Sequence, residues 1–433
     1  MRGHFLPFAV PDLDEGELTQ VRETLDSGWL TTGPRAHLFE DQFRDFVGSR
    51  FAVSVNSCTA ALHLALEAAG VGPNDLVITT PYTFAATAEV IRYFDALPVF
   101  VDVQAETLNI DPGQLNDVIQ ETRRVLEGSV ASPRMPGVRR LRGLMQHARI
   151  GGKPTIRAVV PVHIAGHPCD MGAINSLAFE HALAVIEDAA HAFPAGYQGQ
   201  LIGGLETPIE RSAVCFSFYA TKTLTTAEGG MITTNNEKWA ERCRMMRLHG
   251  ISTDAWKRYS AEGSWYYEIM ESGFKYNMPD ILAALGLAQL KKSIVAWKRR
   301  QEIAKQYTDA LREEPALQVP TVAPGVDHAW HLYPIRLNLA TLTISRAEFI
   351  NALKADNIGT SVHFIPLHLH PYYKKTFGYE PADFPIALRE YGREISLPIY
   401  SRMTDHDVHG VILAIKRVLE RHTAKTVYEV VGY

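Results

Sequence analysis

Residues Cys215–Thr234 read CFSFYATKTLTTAEGGMITT, and they decide the fold. Two apolar runs, Ala213–Phe218 and Met231–Thr234, flank a loop of small and hydroxylated residues around Lys222. Neither run alternates apolar with polar, as expected of strands buried on both faces. A lysine is a poor occupant of a loop between two buried strands unless it forms a Schiff base or an ion pair. The competing reading, a surface lysine, sits badly with strands of this character. Gly229-Gly230 is expected to give a tight turn into the second strand.

Outward from this pair, similar short runs lie at Phe51–Val55, Leu76–Thr79, Pro98–Val103, Ile156–Val162 and Leu183–Ile186. Helical stretches such as Thr59–Ala69 and Phe84–Tyr93 lie between some of them. Alternating β and α elements predict an α/β domain on a mostly parallel central sheet flanked by helices. Past about residue 290 the pattern changes to a charged helix over Trp297–Arg312, a strand over His331–Leu337, a helix over Arg346–Asp356, a strand over Thr360–Ile365 and a closing helix over Asp405–His422. The expectation is a large α/β domain over 1–295 and a smaller C-terminal α+β domain over 296–433. Residues 122–157 stand apart, with Arg123, Arg124, Arg134, Arg139, Arg140, Arg142, Arg149, Lys153 and Arg157 against one acid, Glu127. This reads as a solvated surface insertion. A basic flap that meets a phosphorylated ligand is the functional alternative.

A chain of 433 residues exceeds one ordinary core, and 46% hydrophobic with 21% charged residues is a globular composition. The net charge of -5 argues against nucleic acid or an anionic membrane as an obligatory partner. Cys58, Cys169, Cys215 and Cys243 are scattered without a CxxC, so neither a zinc site nor a disulfide framework is indicated and a reducing cytoplasm is expected. The first residues lack the apolar core of a signal peptide, and no apolar run is long enough to span a bilayer.

Four stretches carry candidate chemistry at the ends of the predicted strands, where open α/β sheets bind ligands. In AVSVNSCTAALHLAL, the turn at Ser57, Cys58 and Thr59 opens a helix whose free N–H groups and dipole suit a phosphate; taken alone the signal is weak, and a plain N-cap by Ser57 or Thr59 explains it. In ITTPYTFAATAEVI, Phe84 could stack on a flat cofactor ring or fill core. In AVIEDAAHA, Asp188 ends an apolar strand, where a carboxylate needs a partner such as a pyridinium N–H, and His191 lies three residues on; Asp188 could also cap the next helix. Lys222 is the fourth. Together a phosphate cradle, a ring-stacking aromatic, an acid and a lysine are the contacts that pyridoxal 5'-phosphate (PLP) needs. His363, His368 and His370, and likewise His163, His167, Cys169 and Asp170, raise the thought of a metal, but none is assigned. His163 could lie near the site, and His331 could approach it from the C-terminal domain.

NSCTAALHLAL, PYTF, PVHIAG, IEDAAHA, SFYATKTLTTAEGGM, YNMPDILAALGLAQL and SLPIY, in this order, resemble the DegT family of nucleotide-sugar aminotransferases from residue 27 to residue 400. The resemblance implies the type I PLP-dependent aminotransferase fold and a homodimer with its active sites at the interface. It implies Lys222 as the Schiff-base lysine, Asp188 facing the pyridinium nitrogen, His191 near the ring hydroxyl and Phe84 on the ring. Ser57, Cys58, Thr59 and Ser217 would cradle the phosphate, with Asn277 reaching it from the partner subunit. SGWLTTGP, GFKYNM and HAWHLYPIRL are most similar to enzymes that aminate C4 of UDP-4-keto sugars, with glutamate as the implied amino donor. Two features depart from the pattern: Cys58 stands where glycine or alanine is commoner, and the connection 122–157 is longer than usual. Amination at C3, a dTDP- or GDP-linked sugar, and a PLP-binding regulator without turnover are the alternatives. Sugar dehydratases of similar sequence carry histidine at the lysine position, so Lys222 speaks against that chemistry.

Overall fold

A computed structural model describes residues 4–139, 154–204, 206–252 and 266–423. The central sheet has strands β1 (Phe51–Val55), β2 (Leu76–Thr79), β3 (Leu97–Phe100), β4 (Ile156–Val159), β5 (Ala184–Asp188), β6 (Ser212–Ser217) and β7 (Gly230–Thr234), in the order β1-β7-β6-β5-β4-β2-β3. β7 is antiparallel to both neighbours, and the other adjacent pairs are parallel. The absence of alternation in these runs has its cause in two cores. Ile78, Val159 and Val185 face one, with Leu115 and Ile174 from flanking helices, whereas Val77, Ala158, Ala184 and Ile186 face the other, with Leu62 and Leu66. Successive residues of one strand thus enter opposite apolar layers.

The C-terminal region packs a small sheet, Leu317–Gln318, Tyr333–Leu337 and Glu394–Leu397, against helices Arg346–Ala355 and Asp405–His422. Leu6 is buried in this same cluster, and its backbone bonds Asn357 and Gly359. The helix expected over Trp297–Arg312 is the second half of one running from Asp280 to Leu311, so the expected division at 295/296 falls inside it. Ala283, Ala284, Leu287 and Leu290 bury its first half, and Ile303, Ala304, Tyr307 and Leu311 its second. No helix among the described residues is long and apolar enough to cross a membrane.

Three expectations need correction. Thr360–Ile365 is not a strand but an extended segment with one isolated bridge, Ser361 to Ser396. A side chain takes the place of the ladder there: the N–H of His363 donates to the Glu394 carboxylate. Gly229 and Gly230 do not have positive φ; the left-handed residue of this turn is Ala227. Their lack of a side chain serves close approach, because a Cβ on Gly230 would lie 2.6 Å from the Ser57 carbonyl. The basic insertion is not simply solvated where it is described. Glu121 accepts the N–H groups of Arg134 and Met135, Val138 is fully buried, and a Cβ on Gly137 would strike the Phe100 carbonyl. Arg140, Arg142, Arg149 and Lys153 lie outside the described residues.

Candidate active site

The C-terminal ends of β1, β2, β5 and β6 open on one cavity of about 370 Å³, within the size range of small-molecule sites. Ser57, Cys58, Thr59, Phe84, Asp188, His191, Ser217 and Lys222 all line it. Asn277 does not. It pairs with Val55 at the foot of the cradle, donates to Thr32 Oγ1 at 2.6 Å and accepts from Lys275.

Ser57 caps helix Cys58–Ala68, its Oγ accepting from the N–H of Ala60 at 3.1 Å. The Ser57 cap therefore leaves part of this helix end open. Ser57 satisfies one end group, and the N–H groups of Cys58 and Thr59 remain without partners among the described residues. Phe84 stands at the N-terminus of helix Ala85–Arg92 and is 62% exposed along the cavity mouth, which excludes the core reading.

Asp188 is buried at the end of β5. Thr87 Oγ1 donates to its Oδ2 at 2.7 Å and the Ala190 N–H to its Oδ1 at 3.1 Å. No helix follows for it to cap. Burial raises its pKa, so a cationic N–H in the cavity would be a better partner than the neutral donors it has. Behind it, the Cys169 N–H donates to His163 Nδ1 at 3.0 Å, which leaves the His163 proton on Nε2, 2.9 Å from Glu187. That pair fixes the strand end without lining the cavity. His167 accepts from the Ala323 N–H, and Asp170 caps helix Met171–His181, so this group serves packing.

His191 Nδ1 accepts the Ala165 N–H at 3.2 Å, which places the ring proton on Nε2. The ring lies 4.4 Å from His331 and stacks on Phe364 at 5.7 Å. Burial depresses both histidines well below the usual range, so both are neutral at physiological pH. Lys222 is half-buried as a residue, its ammonium the desolvated part. Burial lowers its pKa to about 8, and Nζ makes no hydrogen bond or ion pair among the described residues. An amine so placed is close to a nucleophile.

Thr87, Phe8, His363 and Phe364 also line the cavity, and the sequence gives no sign of this. Thr87 meets Asp188 across 101 residues, and no local pattern announces such a pair. His363 was visible only as part of a histidine cluster. In the fold that cluster disperses: His363 reaches Ser396, His368 the Pro381 carbonyl and His370 the Ile365 carbonyl.

A desolvated, unpaired lysine facing a buried acid and an open helix N-terminus at the edge of a mostly parallel sheet defines the class, an α/β aminotransferase. The chain belongs to the DegT/DnrJ/EryC1/StrS aminotransferase family, whose pattern matches residues 11–416. It is 47% identical over 420 residues to the spore coat polysaccharide biosynthesis protein SpsC of Bacillus subtilis, covering 97% of this chain and 98% of that one. Spr1654 of Streptococcus pneumoniae, described as a sugar aminotransferase and solved in PMP, PLP and apo forms, superposes with a TM-score of 0.80 at 30% identity in its PMP form, over 96% of this chain and 98% of its own. Helicobacter pylori PseC, an aminotransferase in pseudoaminic acid biosynthesis, gives 0.80 at 27% identity over 96% and 100%.

Proposed function

We propose that this chain moves an amino group from an amino acid, L-glutamate, to C4 of a UDP-linked 4-keto sugar, using PLP held in the cavity described above. The unpaired Lys222 ammonium beside Asp188 carries this reading. The names of SpsC and PseC support a sugar as acceptor, and the C4 position rests on the resemblance of SGWLTTGP, GFKYNM and HAWHLYPIRL.

The residues present fit the cofactor. The free N–H groups of Cys58 and Thr59, with Ser57 and Ser217, would hold its phosphate, and Gly230 keeps that cradle open. Phe84 and His191 would hold the ring, and Asp188 would face its nitrogen. Asn277 of each protomer would complete the other's cradle in a homodimer. When bound, PLP supplies an electrophilic carbon and an electron-withdrawing ring. Lys222 Nζ, with a pKa of about 8, can release and take up a proton near neutral pH, as a proton shuttle requires. Asp188, ionised once a cation lies against it, would keep the ring nitrogen protonated. Thr87 and Ala190 hold the carboxylate in that position.

The test is the visible spectrum of PLP-loaded protein as a UDP-linked 4-amino sugar is added. Loss of the band near neutral pH, with pyridoxamine phosphate formed, supports cofactor and acceptor together. Bleaching by glutamate alone leaves the aminotransferase and refutes the sugar. Absence of any band, with no borohydride-fixed label on the Lys222 peptide, refutes the cofactor assignment.

A further inference from the structure

His363 lines the cavity from the C-terminal side, with its Nδ1 2.9 Å from Ser396 Oγ. That hydroxyl lies 2.5 Å from Glu394 Oε1, and Glu394 Oε2 accepts the backbone N–H of His363 at 2.9 Å. Glu394 and Ser396 are fully buried on one strand. Nε2 of His363 makes no hydrogen bond among the described residues and is left for the cavity. Burial lowers the His363 pKa to about 4, so the neutral ring carries one proton, on one nitrogen or the other.

The serine has a single hydroxyl proton, so it transmits the state of Glu394. An ionised Glu394 only accepts. Ser396 then donates to it and accepts from Nδ1–H, and Nε2 presents a lone pair. A protonated Glu394 donates to Ser396, Ser396 donates to Nδ1, and Nε2 presents an N–H. We propose that Glu394 and Ser396 are a relay that sets the polarity of the cavity-facing nitrogen of His363, and that this nitrogen hydrogen-bonds the sugar acceptor. The second clause rests on the transferase reading above. His363 is thus a substrate-contacting residue, and Glu394 and Ser396 are positioning residues.

Burial favours the protonated form of Glu394 at neutral pH, against the opposing bonds from Ser396 and the His363 N–H and the charges of Arg346 and Arg336. Arg336 stands directly opposite in the strand pair but turns to Glu390, 3.6 Å away, and to the carbonyls of Ala105 and Glu106. Arg346 is spent on the Tyr391 carbonyl, and Glu390 is held by Arg389 and Arg393. The Tyr82 hydroxyl, buried without a partner, lies in the field of Glu394 and Glu390. Burial pushes Glu394 up to about 8. His363 therefore offers a donor below that pH and an acceptor above it, with one proton lost to solvent in between.

Long-range proton–nitrogen spectra of the full chain labelled with 15N-histidine test the relay directly, with and without PLP. The His363 signals are assigned by their loss in His363→Asn. Wild type should change from Nε2–H to Nδ1–H between about pH 7 and 9, the interval around the Glu394 value. Glu394→Gln, whose amide always donates to Ser396, should keep Nε2–H throughout, and Ser396→Ala should abolish the coupling. One tautomer across this range in wild type, or a change that survives in Glu394→Gln, overturns the relay. For the sugar contact, the KM for the amino sugar in wild type, divided by that in Glu394→Gln at the same pH so that titration of Lys222 and of the sugar's own amine cancels, should change about 10-fold over the same interval. A tautomer change without a change in this ratio overturns the sugar contact alone. Failure of glutamate to bleach the loaded enzyme strikes the transferase reading, while the spectra still decide the relay.

Discussion

The wall of the cavity built by the sheet and the wall built by the C-terminal region hold their polar groups by different means. Ser57, Asp188, Ser217 and Lys222 each sit at or within a few residues of a strand's C-terminal end, so backbone pairing alone delivers them to one place. His331, His363 and Phe364 sit on irregular backbone. His363 depends on a serine 33 residues away, itself tied to a buried glutamate. The first arrangement is rigid because the sheet is rigid. The second is rigid only while a chain of side-chain bonds is complete, and such a chain is the part that can respond to protons. On our reading the sheet wall serves the cofactor and both half-reactions, whereas the C-terminal wall serves the sugar.

The largest expected effect comes from the sheet wall. Lys222→Ala should lower turnover by at least about 10³-fold, within the range of a lost acid–base group. Borohydride should no longer label the chain. Substantial steady-state transamination by this variant would end the comparison, because the lysine would then be one more cavity residue. Asp188→Asn should follow, with a loss of about 10²-fold or more. It replaces an anion with a dipole against a cationic ring nitrogen, and unpairing a buried charge costs about 3–5 kcal/mol. If Asp188 faces the ring nitrogen as proposed, single-turnover rates with glutamate and with the amino sugar should fall alike. A loss confined to the sugar step would assign Asp188 to the wrong wall.

The same contrast explains what was legible in the sequence. Buried parallel strands announce themselves by apolar runs without alternation, and their C-terminal ends are known from the runs. Lys222, Asp188, Phe84 and Ser57, which line one cavity, are therefore legible in the sequence. The seven strands were all visible, with ends shifted by a few residues, as at Leu97–Phe100. The long helix Asp280–Leu311 is legible only in its second half, because its first half begins right after Pro279 without a side-chain cap and buries residues on several faces, so no polar stripe marks it. Thr87, His363 and Glu394 act through partners distant in sequence, and one sequence carries no sign of such pairs. The three histidines 363, 368 and 370 suggested a shared ligand by proximity along the chain, yet the irregular backbone sends their rings to three different partners.

A smaller effect probes how the cradle is built. Gly230→Ala would place a Cβ 2.6 Å from the Ser57 carbonyl and 2.8 Å from the Cys58 nitrogen, both backbone atoms. Either β7 or the cradle must shift. Overpacking of this kind costs about 1–3 kcal/mol in stability. PLP affinity should weaken about tenfold, with the KM for sugar little changed relative to that loss. Equal binding of PLP by the variant would mean that the phosphate does not lie at this helix end.

The smallest effect concerns Lys222 in the cofactor-free protein and has a definite sign. Its folded pKa, about 8, lies below the value of 10.5 for a free lysine. Between those pH values the unfolded chain binds the more protons, so stability rises with pH. Below about pH 8 the cost of the buried ammonium is present in full, and above 10.5 it is gone. The whole drop corresponds to roughly 3 kcal/mol, but water reaching the half-open cavity should reduce the measurable part to about 1 kcal/mol. Urea unfolding of apo wild type and of Lys222→Met, compared at pH 7.5 and pH 10, isolates this term from other titrating groups. The stability advantage of the methionine variant should shrink as pH rises. An advantage constant with pH would mean that the ammonium is solvated in the folded chain. The sheet wall would then hold its lysine no differently from a surface residue, and the nucleophile would have to be prepared by the cofactor rather than by the fold.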